Sequence, residues 1–187
     1  KHKKNKLINM KKNYFITGGT GSFALKFVDY LLKKNIAKKI VIFSRDEFKQ
    51  HQMQNLPIIK KNLPRFRFFI GDVRDINRID WALSDDIDIL IHTAALKQVP
   101  ATEYNPFETV KTNIIGTQNL IEIAIKKKID KCVLISTDKA VSPINLYGST
   151  KLTAEKLFIS ANLFKGKRNS KFSVVRYGNV MGSRGSI

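Results

Sequence analysis

The sequence has little of three features that mark common protein classes: cysteine, long apolar runs and acidic residues. Its single cysteine, Cys132, excludes a disulfide framework and favours a reducing, cytoplasmic compartment. Because Cys132 stands in the apolar run 132–135, we predict a buried strand residue there and not a nucleophile. No apolar run approaches the roughly 20 residues that a helix needs to cross a bilayer, so we expect no membrane partner.

The shortage of acids leaves 34 Lys and Arg against 15 Asp and Glu, a formal net charge of +19. Such a charge can mark a nucleic-acid-binding protein. The lysines, however, are spread over most predicted helices and turns, and no recognition helix, zinc-ligand spacing or RNP-like aromatic pattern accompanies them. We therefore expect neither a nucleic-acid partner nor a bound metal, although the charge would attract anionic substrates.

At 187 residues the chain suits one domain with a sizeable core. Residues 1–9 hold four lysines and no acid, without the apolar segment of a signal peptide. We expect a disordered basic leader over residues 1–10 and an NAD(P)-binding domain over residues 11–187. Apolar strands alternating with helices predict an α/β fold, a Rossmann-type doubly wound parallel sheet with helices on both faces. The predicted strands are 13–17, 39–43, 65–70, 88–92, 131–136 and 171–176.

A glycine-rich turn joins the first predicted strand to a helix, the setting in which such a motif binds a dinucleotide. Gly18 suits the tight turn, and Gly21 lets backbone approach a pyrophosphate at the positive end of the helix. We predict cofactor contacts from Gly18, Thr20, Gly21, Ser22 and Phe23.

The tip of the second strand carries Ser44, Arg45 and Asp46, with Lys49 one helical turn further on. An acid at this place usually binds the ribose hydroxyls of NAD. A hydroxyl and two cations suit a 2′-phosphate instead. NADP is therefore favoured as the cofactor, while Asp46 leaves NAD open.

The ends of the third and fourth strands supply further cofactor-binding candidates. Asp72, followed by Val73, is placed to meet an adenine ring; the alternative for Asp72 is an N-cap of the following helix. Small residues after the fourth strand, Ala94 among them, allow a cofactor to lie against backbone. His92 continues an apolar strand, so we expect a hydrogen-bonded core histidine and not a catalyst.

A long amphipathic helix is predicted between Pro106 and Lys128, with a glycine at position 116. A glycine inside a helix destabilises it by about 1 kcal/mol relative to alanine, so close packing or the approach of a ligand is the natural reason for it. We predict cofactor contacts from Thr112 and Asn113 on this helix.

The reactive residues follow the fifth strand, where an open α/β sheet holds its chemistry. Thr137, Asp138 and Lys139 come first, and Tyr147 and Lys151 lie one turn apart on the next helix. An ammonium beside a phenol favours the phenolate and brings its pKa, ordinarily about 10, within reach of neutrality. Tyr147 is then suited to take the proton of an alcohol from which a hydride leaves.

With these motifs placed, the sequence resembles the extended short-chain dehydrogenases/reductases from Met10 to its last residue. More narrowly, it is similar to the soluble, inverting UDP-N-acetylglucosamine 4,6-dehydratases of bacterial pseudaminic acid biosynthesis. The stretches that carry the resemblance occur in one order and are residues 17–23, 44–47, 69–75, 94–97, 104–106, 136–140, 143–148 and 174–180.

The resemblance implies NADP-dependent dehydration at C5 and C6 of the UDP-sugar, through a 4-keto intermediate and with inversion at C5. Tyr147 takes the C4 hydroxyl proton, Lys151 tunes Tyr147 and holds the nicotinamide ribose, and Thr137 bonds near the C4 oxygen. Lys139 is the base at C5, and Asp138 protonates the departing C6 hydroxyl. Further implied contacts are Lys97 and Val180 with the cofactor, and Lys97, Asn179, Ser183, Arg184, Gly185 and Ser186 with the substrate.

Asp138 and Lys139 separate this class from its relatives. Retaining dehydratases of the dTDP-glucose type carry Asp-Glu at this place, and simple 4-epimerases need no acid/base pair there. Ala24 stands where the family usually has glycine, which the dinucleotide fingerprint tolerates. We expect the family's C-terminal substrate domain to be missing from this chain, which leaves an inactive NADP-binding fragment open as one alternative. A nucleotide-sugar 4-epimerase of the same class is the other. We expect a homo-oligomer of the full-length protein.

Overall fold

The computed structural model describes residues 11–179, which form one parallel sheet flanked by helices. The strands are β1 (Lys12–Thr17), β2 (Ala37–Ser44), β3 (Phe66–Ile70), β4 (Ile89–His92), β5 (Lys131–Thr137) and β6 (Lys171–Tyr177). Their order across the sheet is β3-β2-β1-β4-β5-β6, and every pairing is parallel. The predicted Rossmann-type doubly wound sheet is confirmed.

The α-helices occupy the connections between strands. They are α1 (Ser22–Lys33), α2 (Glu47–Gln54), α3 (Pro57–Lys60), α4 (Ile76–Ala82), α5 (Val99–Tyr104), α6 (Pro106–Val110), α7 (Gly116–Lys126) and α8 (Leu146–Phe164). Within residues 11–179, none of these helices combines the length and the apolarity that crossing a membrane requires. The predicted leader over residues 1–10 and the predicted contacts of Val180, Ser183, Arg184, Gly185 and Ser186 lie outside the described residues.

Two apolar clusters lie on opposite faces of the sheet, as the alternation of side chains along a strand requires. On β1, Phe15 joins the cluster that packs under α4, α7 and α8, whereas Tyr14 and Ile16 join the cluster under α1 and α2. Cys132 is fully buried in the first cluster, where burial raises the pKa of its thiol. The prediction of a buried strand cysteine is therefore confirmed.

The helix predicted over residues 106–128 is not regular. A π-helical stretch, Lys111–Ile115, separates α6 from α7. At Gly116, the first residue of α7, an added Cβ would lie 2.6 Å from Val73 Cγ2. Close packing of α7 against the loop after β3 is thus the reason for this glycine. Because the Val73 side chain is buried in the core, only its backbone is left to face a ligand.

Candidate active site

The glycine turn after β1 lies close against the end of β4 and leaves no room for a side chain at position 18. Gly18 has a φ of +60°, and a Cβ at this position would lie 2.7 Å from Thr93 Oγ1 and 2.8 Å from Ala94 N. The Gly21 N–H donates to Gly18 O at 2.9 Å and closes the turn directly before α1. A side chain at position 18 would therefore force apart the ends of β1 and β4, where the strand order reverses and such sheets bind ligands.

The N-terminus of α1 offers unpaired backbone N–H groups beside this turn. Within the described part of the chain, α1 begins at Ser22 without a side-chain cap and without an acid in its first turn. Such an end binds anions because its N–H groups and the helix dipole both favour negative charge. Ser22 is exposed and Thr20 is half-buried beside it. The Phe23 ring stacks on Tyr177 with centroids 6.3 Å apart, so its backbone is the part left for a cofactor.

Ser44 and Asp46 at the tip of β2 are both engaged by protein groups. Ser44 is buried, and its Oγ accepts from Gln50 Nε2 at 3.0 Å. Gln50 also donates to Phe69 O at 2.9 Å and so ties β2 to β3, a role that no sequence motif signals. Asp46 caps α2 by accepting from Lys49 N at 2.9 Å, and its carboxylate forms an ion pair with Lys49 Nζ.

Asp46 and Lys49, predicted to favour different cofactors, therefore neutralise each other. Hydrogen bonds from Lys49 lower the pKa of Asp46, so the carboxylate is ionised within this pair. Arg45 is more than half exposed, and its Nη1 lies 3.6 Å from Asp72 Oδ2. Among the residues of the β2 tip, Arg45 is the one that keeps an exposed charge toward the neighbouring strand.

Asp72 follows β3 within a group of cations. It accepts from Arg74 N and from Arg74 Nε, each at 2.9 Å. Burial by itself raises the pKa of Asp72, but hydrogen bonds from Arg74 and the charges of Arg74 and Arg45 bring the pKa below its ordinary value. The N-cap alternative for Asp72 is wrong, because Asp75 caps α4 by accepting from a first-turn N–H at 2.9 Å.

Asn113, a predicted cofactor ligand, is engaged inside the protein. Its side chain accepts from Leu96 N at 2.8 Å and donates to Leu96 O at 2.9 Å and to Thr150 Oγ1 at 3.0 Å. Asn113 thus joins the loop after β4, with Ala94 on it, to α8. The Thr112 hydroxyl is buried and finds no hydrogen-bond partner among residues 11–179. Lys97 lies exposed on the same loop.

His92 is a core histidine that links β1, β4 and α7, as predicted. Thr117 Oγ1 donates to Asn113 O at 2.7 Å, so it accepts from His92 Nε2 at 3.0 Å. The proton therefore sits on Nε2, and Nδ1 accepts from Thr17 Oγ1 at 2.7 Å. Burial, with the charge of Lys151 nearby, lowers the pKa of His92 to about 3. The imidazole is neutral and satisfied.

Tyr147 and Lys151 reach the end of β5 from α8, but their coupling differs from the prediction. Lys151 is buried, and its Nζ donates to Ile135 O at 2.9 Å. Burial lowers the pKa of Lys151 to about 8, against the opposing charge of Glu155. Burial also raises the pKa of Tyr147, and a hydrogen bond with Thr137 opposes this only in part. The predicted lowering of the Tyr147 pKa is wrong here, because burial dominates and the Lys151 ammonium bonds to a strand carbonyl.

Thr137, Asp138 and Lys139 gather beside Tyr147. Thr137 Oγ1 donates to Asp138 Oδ1 at 2.9 Å, and Lys139 Nζ lies 3.4 Å from the same oxygen. Lys139 Nζ also donates to Asn179 Oδ1 at 2.9 Å. The hydrogen bond from Thr137 and the charge of Lys139 lower the pKa of Asp138, so it is a carboxylate. The structure thus brings the predicted catalytic residues and Asn179 to one edge of the sheet.

Sequence reasoning missed two charged residues behind this edge. Glu155 lies one helical turn after Lys151, and Arg176 lies near the end of β6. Arg176 Nε is 2.9 Å from Glu155 Oε1 and 3.0 Å from Oε2. The available signal was the four-residue spacing of Tyr147, Lys151 and Glu155, which sets all three along one stripe of α8.

A closely packed glycine turn, an uncapped helix start and a Tyr147–Lys151 pair after β5 define a Rossmann-type domain of the extended short-chain dehydrogenase/reductase class. Sequence comparison gives the particular family. The chain belongs to the polysaccharide biosynthesis protein family, whose sequence profile matches residues 14–187.

Three relatives show how far the similarity extends. The chain is 51% identical over 177 residues to the UDP-N-acetylglucosamine 4,6-dehydratase (inverting) of Campylobacter jejuni, covering 95% of this chain and 52% of the relative. It is 47% identical over 179 residues to a UDP-glucose 4-epimerase of Rickettsia bellii, covering 94% of this chain and 51% of the relative. The solved structure of Pen from Bacillus thuringiensis matches with a TM-score of 0.90 at 44% identity, and the match covers 95% of this chain and 55% of that one. The chain therefore spans about half the length of these relatives.

Proposed function

We propose that this chain supplies the cofactor-binding part and the reactive residues of an NADP-dependent UDP-N-acetylglucosamine 4,6-dehydratase that inverts C5, a hydro-lyase with internal redox. The observation that carries the proposal is the contact of Asp138 with Lys139 beside Tyr147. This contact places an acid/base pair, Asp138 and Lys139, next to Tyr147, whose phenol is suited to alcohol oxidation. The 51% identity to the Campylobacter dehydratase supports the choice of substrate. A place in pseudaminic acid biosynthesis is part of the same proposal.

The residues present fit a nicotinamide dinucleotide. Gly18 leaves a cradle that a Cβ would fill, and α1 presents uncapped N–H groups to a pyrophosphate. The exposed guanidinium of Arg45 suits a 2′-phosphate, while Lys49 engages the carboxylate of Asp46. This arrangement favours NADP over NAD. A nicotinamide cofactor held by these residues would supply reversible hydride transfer to and from the sugar.

Tyr147 takes the C4 hydroxyl proton in the first half of the reaction. Because burial raises the pKa of Tyr147, its phenolate needs a stabilising cation nearby. Lys151 supplies that charge and also holds the nicotinamide ribose. The Thr137 hydroxyl, which lowers the pKa of Tyr147 in part, is proposed to bond near the C4 oxygen.

Lys139 and Asp138 perform the elimination in the second half. Lys139 removes the C5 proton that the C4 ketone acidifies, and Asp138 protonates the departing C6 hydroxyl. The elimination needs Asp138 as a carboxylic acid, whereas the hydrogen bond from Thr137 and the charge of Lys139 lower its pKa in the chain without substrate. The proposal therefore requires that the bound sugar bury Asp138, because burial raises the pKa of a carboxyl group. Return of the proton to the opposite face inverts C5.

Lys97 and Asn179 are the described residues that we propose for contact with the UDP-sugar. Lys97 is exposed on the loop after β4, and Asn179 already bonds the base Lys139. The full-length protein is proposed to act as a cytoplasmic homo-oligomer.

Incubation of the full-length protein with UDP-N-acetylglucosamine tests the proposal. A 4-keto-6-deoxy sugar should form without added reductant, and solvent deuterium should enter at C5. Lys139→Ala should largely stop this deuterium wash-in. Wash-in at the wild-type rate would remove Lys139 from the role of base.

A nucleotide-sugar 4-epimerase is the second candidate function, favoured by the 47% identity to the Rickettsia enzyme. Epimerisation would use Tyr147 and Lys151 but leave Asp138 and Lys139 without a chemical task. Recovery of only the C4 epimer would reject dehydration. Dinucleotide binding without any turnover by the full-length protein would instead indicate an inactive NADP-binding protein.

A further inference from the structure

We propose that Glu155, held in place by Arg176, is a positioning residue that keeps Lys151 in its ammonium form behind Tyr147. The catalytic consequence at Tyr147 rests on the function proposed above, whereas the effect on Lys151 itself does not. The observation that carries the proposal is a pair of buried opposite charges one turn apart on α8, Lys151 and Glu155, with the exposed Arg176 of β6 bonded to the Glu155 carboxylate.

Lys151 occupies a site that penalises its charge. Its residue surface is 3% exposed, and its Nζ donates to Ile135 O at 2.9 Å. A single neutral carbonyl replaces little of the hydration that an ammonium loses on burial. Without a nearby anion, burial would leave Lys151 largely neutral close to physiological pH.

Glu155 provides that anion. It lies one turn beyond Lys151 on α8, and its side chain is 8% exposed. Burial raises the pKa of Glu155, but hydrogen bonds from Arg176 and the charges of Arg176 and Lys151 bring the pKa below its ordinary value. Arg176 contacts both carboxylate oxygens of Glu155. This contact holds the carboxylate in position and favours its ionised form.

Among residues 11–179, the other groups around Lys151 add no second anion that performs this task. From β4, His92 is neutral. From β5, Ile135 and Ser136 offer a carbonyl and a hydroxyl. From α8 itself, Tyr147 carries a phenol whose pKa burial raises.

Two more charged groups, Arg176 and Asp138, lie at the same edge of the sheet as Lys151. The Arg176 cation forms its ion pair with Glu155. Asp138 acts on Tyr147, at the solvent side of the site, and its charge there opposes formation of the phenolate. Glu155 is therefore the carboxylate whose negative charge serves Lys151.

Titration of Lys151 by NMR of isotope-labelled lysine side chains tests the proposal in this chain, without substrate or dinucleotide. The Lys151 signal is assigned by its loss in Lys151→Met. In the wild type it should titrate near pH 8. Glu155→Gln should lower the midpoint by roughly one pH unit or more. Arg176→Gln releases the Glu155 carboxylate and lets burial raise its pKa, so this variant should also lower the Lys151 midpoint, by less than Glu155→Gln does. Glu122→Gln, an exposed acid on α7, is the matched control and should have no effect.

An unchanged Lys151 midpoint in folded Glu155→Gln would overturn the proposal. If that variant does not fold, a Lys151 midpoint that is unchanged or raised in Arg176→Gln would overturn it instead. Loosening of the site and loss of the cation both raise the midpoint, whereas a weakened Glu155 anion lowers it. The titration is independent of turnover, so it stands even if the full-length protein proves not to be a dehydratase.

The pH profile of the full-length enzyme tests the consequence for catalysis. In Glu155→Gln the alkaline limb of kcat should move to lower pH by the same amount as the Lys151 midpoint, with KM for the UDP-sugar unchanged. In Glu155→Asp, which keeps the carboxylate, the alkaline limb of kcat should move by only part of that amount. A kcat that falls equally at all pH values would show a merely structural role and would overturn this part of the proposal.

Discussion

The neutral core histidine His92 predicts a specific loss of stability in mild acid. Its pKa is lowered from 6.5 to about 3 in the folded chain, so between these values the unfolded state binds a proton that the folded state does not. Stability therefore falls as the pH drops through 6.5. At about pH 5 the unfolded pKa lies about 1.5 units above the pH, and at about 1.4 kcal/mol per unit the loss is about 2 kcal/mol. Because the imidazole is completely buried, solvent screening does not reduce this figure.

Urea unfolding followed by far-ultraviolet circular dichroism, at about pH 7 and about pH 5, measures this loss. His92→Asn gives up the bonds to Thr17 and Thr117, so we expect it to be less stable at neutral pH by roughly 1–3 kcal/mol. Between the two pH values, however, its stability should change by far less than that of the wild type. The carboxylates whose pKa is lowered lose their contribution mainly below about pH 4, outside this window.

Equal losses of stability in His92→Asn and in the wild type would refute the reasoning, since the proton uptake would then belong to another group. His51→Asn serves as the control, because His51 is exposed on α2 and bonded only to Asn55 in its own turn. Its variant should keep the full loss of about 2 kcal/mol that the wild type shows.

Three further predictions concern the site. Gly18→Ala should abolish dinucleotide binding measured by calorimetry. Its Cβ would meet Thr93 Oγ1 at 2.7 Å, in a backbone conformation that disfavours side chains. Retained affinity would show that the cofactor does not bind against Gly18. Gly148→Ala should destabilise the chain by roughly 1–3 kcal/mol in urea unfolding, because its Cβ would collide with the backbone oxygen of Lys139. Ser149→Ala at the exposed neighbouring position is the control, and its free energy of unfolding should stay within about 0.5 kcal/mol of the wild-type value. Arg45→Gln should weaken NADP binding several-fold and leave NAD binding nearly unchanged; equal effects on both would argue against a 2′-phosphate contact.

The sequence was sufficient for the sheet and for the chemical types of the site residues. Apolar strands, amphipathic helices and the glycine turn are local patterns, and the handedness of crossovers leaves few ways to arrange them. The order β3-β2-β1-β4-β5-β6 follows from such rules. Thr137, Asp138, Lys139, Tyr147 and Lys151 meet because they all lie at the carboxyl end of β5 or directly after it.

Only the tertiary structure decided which partners these side chains take. Asp46 binds Lys49, Asn113 clamps the loop after β4, and Lys151 bonds a strand carbonyl instead of acting directly on the phenol. Arg176 is 21 residues from Glu155 along the chain, yet the two meet behind Lys151. Burial and ion pairing depend on elements that only the folded sheet brings together. A motif therefore identifies the reactive groups, whereas their protonation follows from the packing around them.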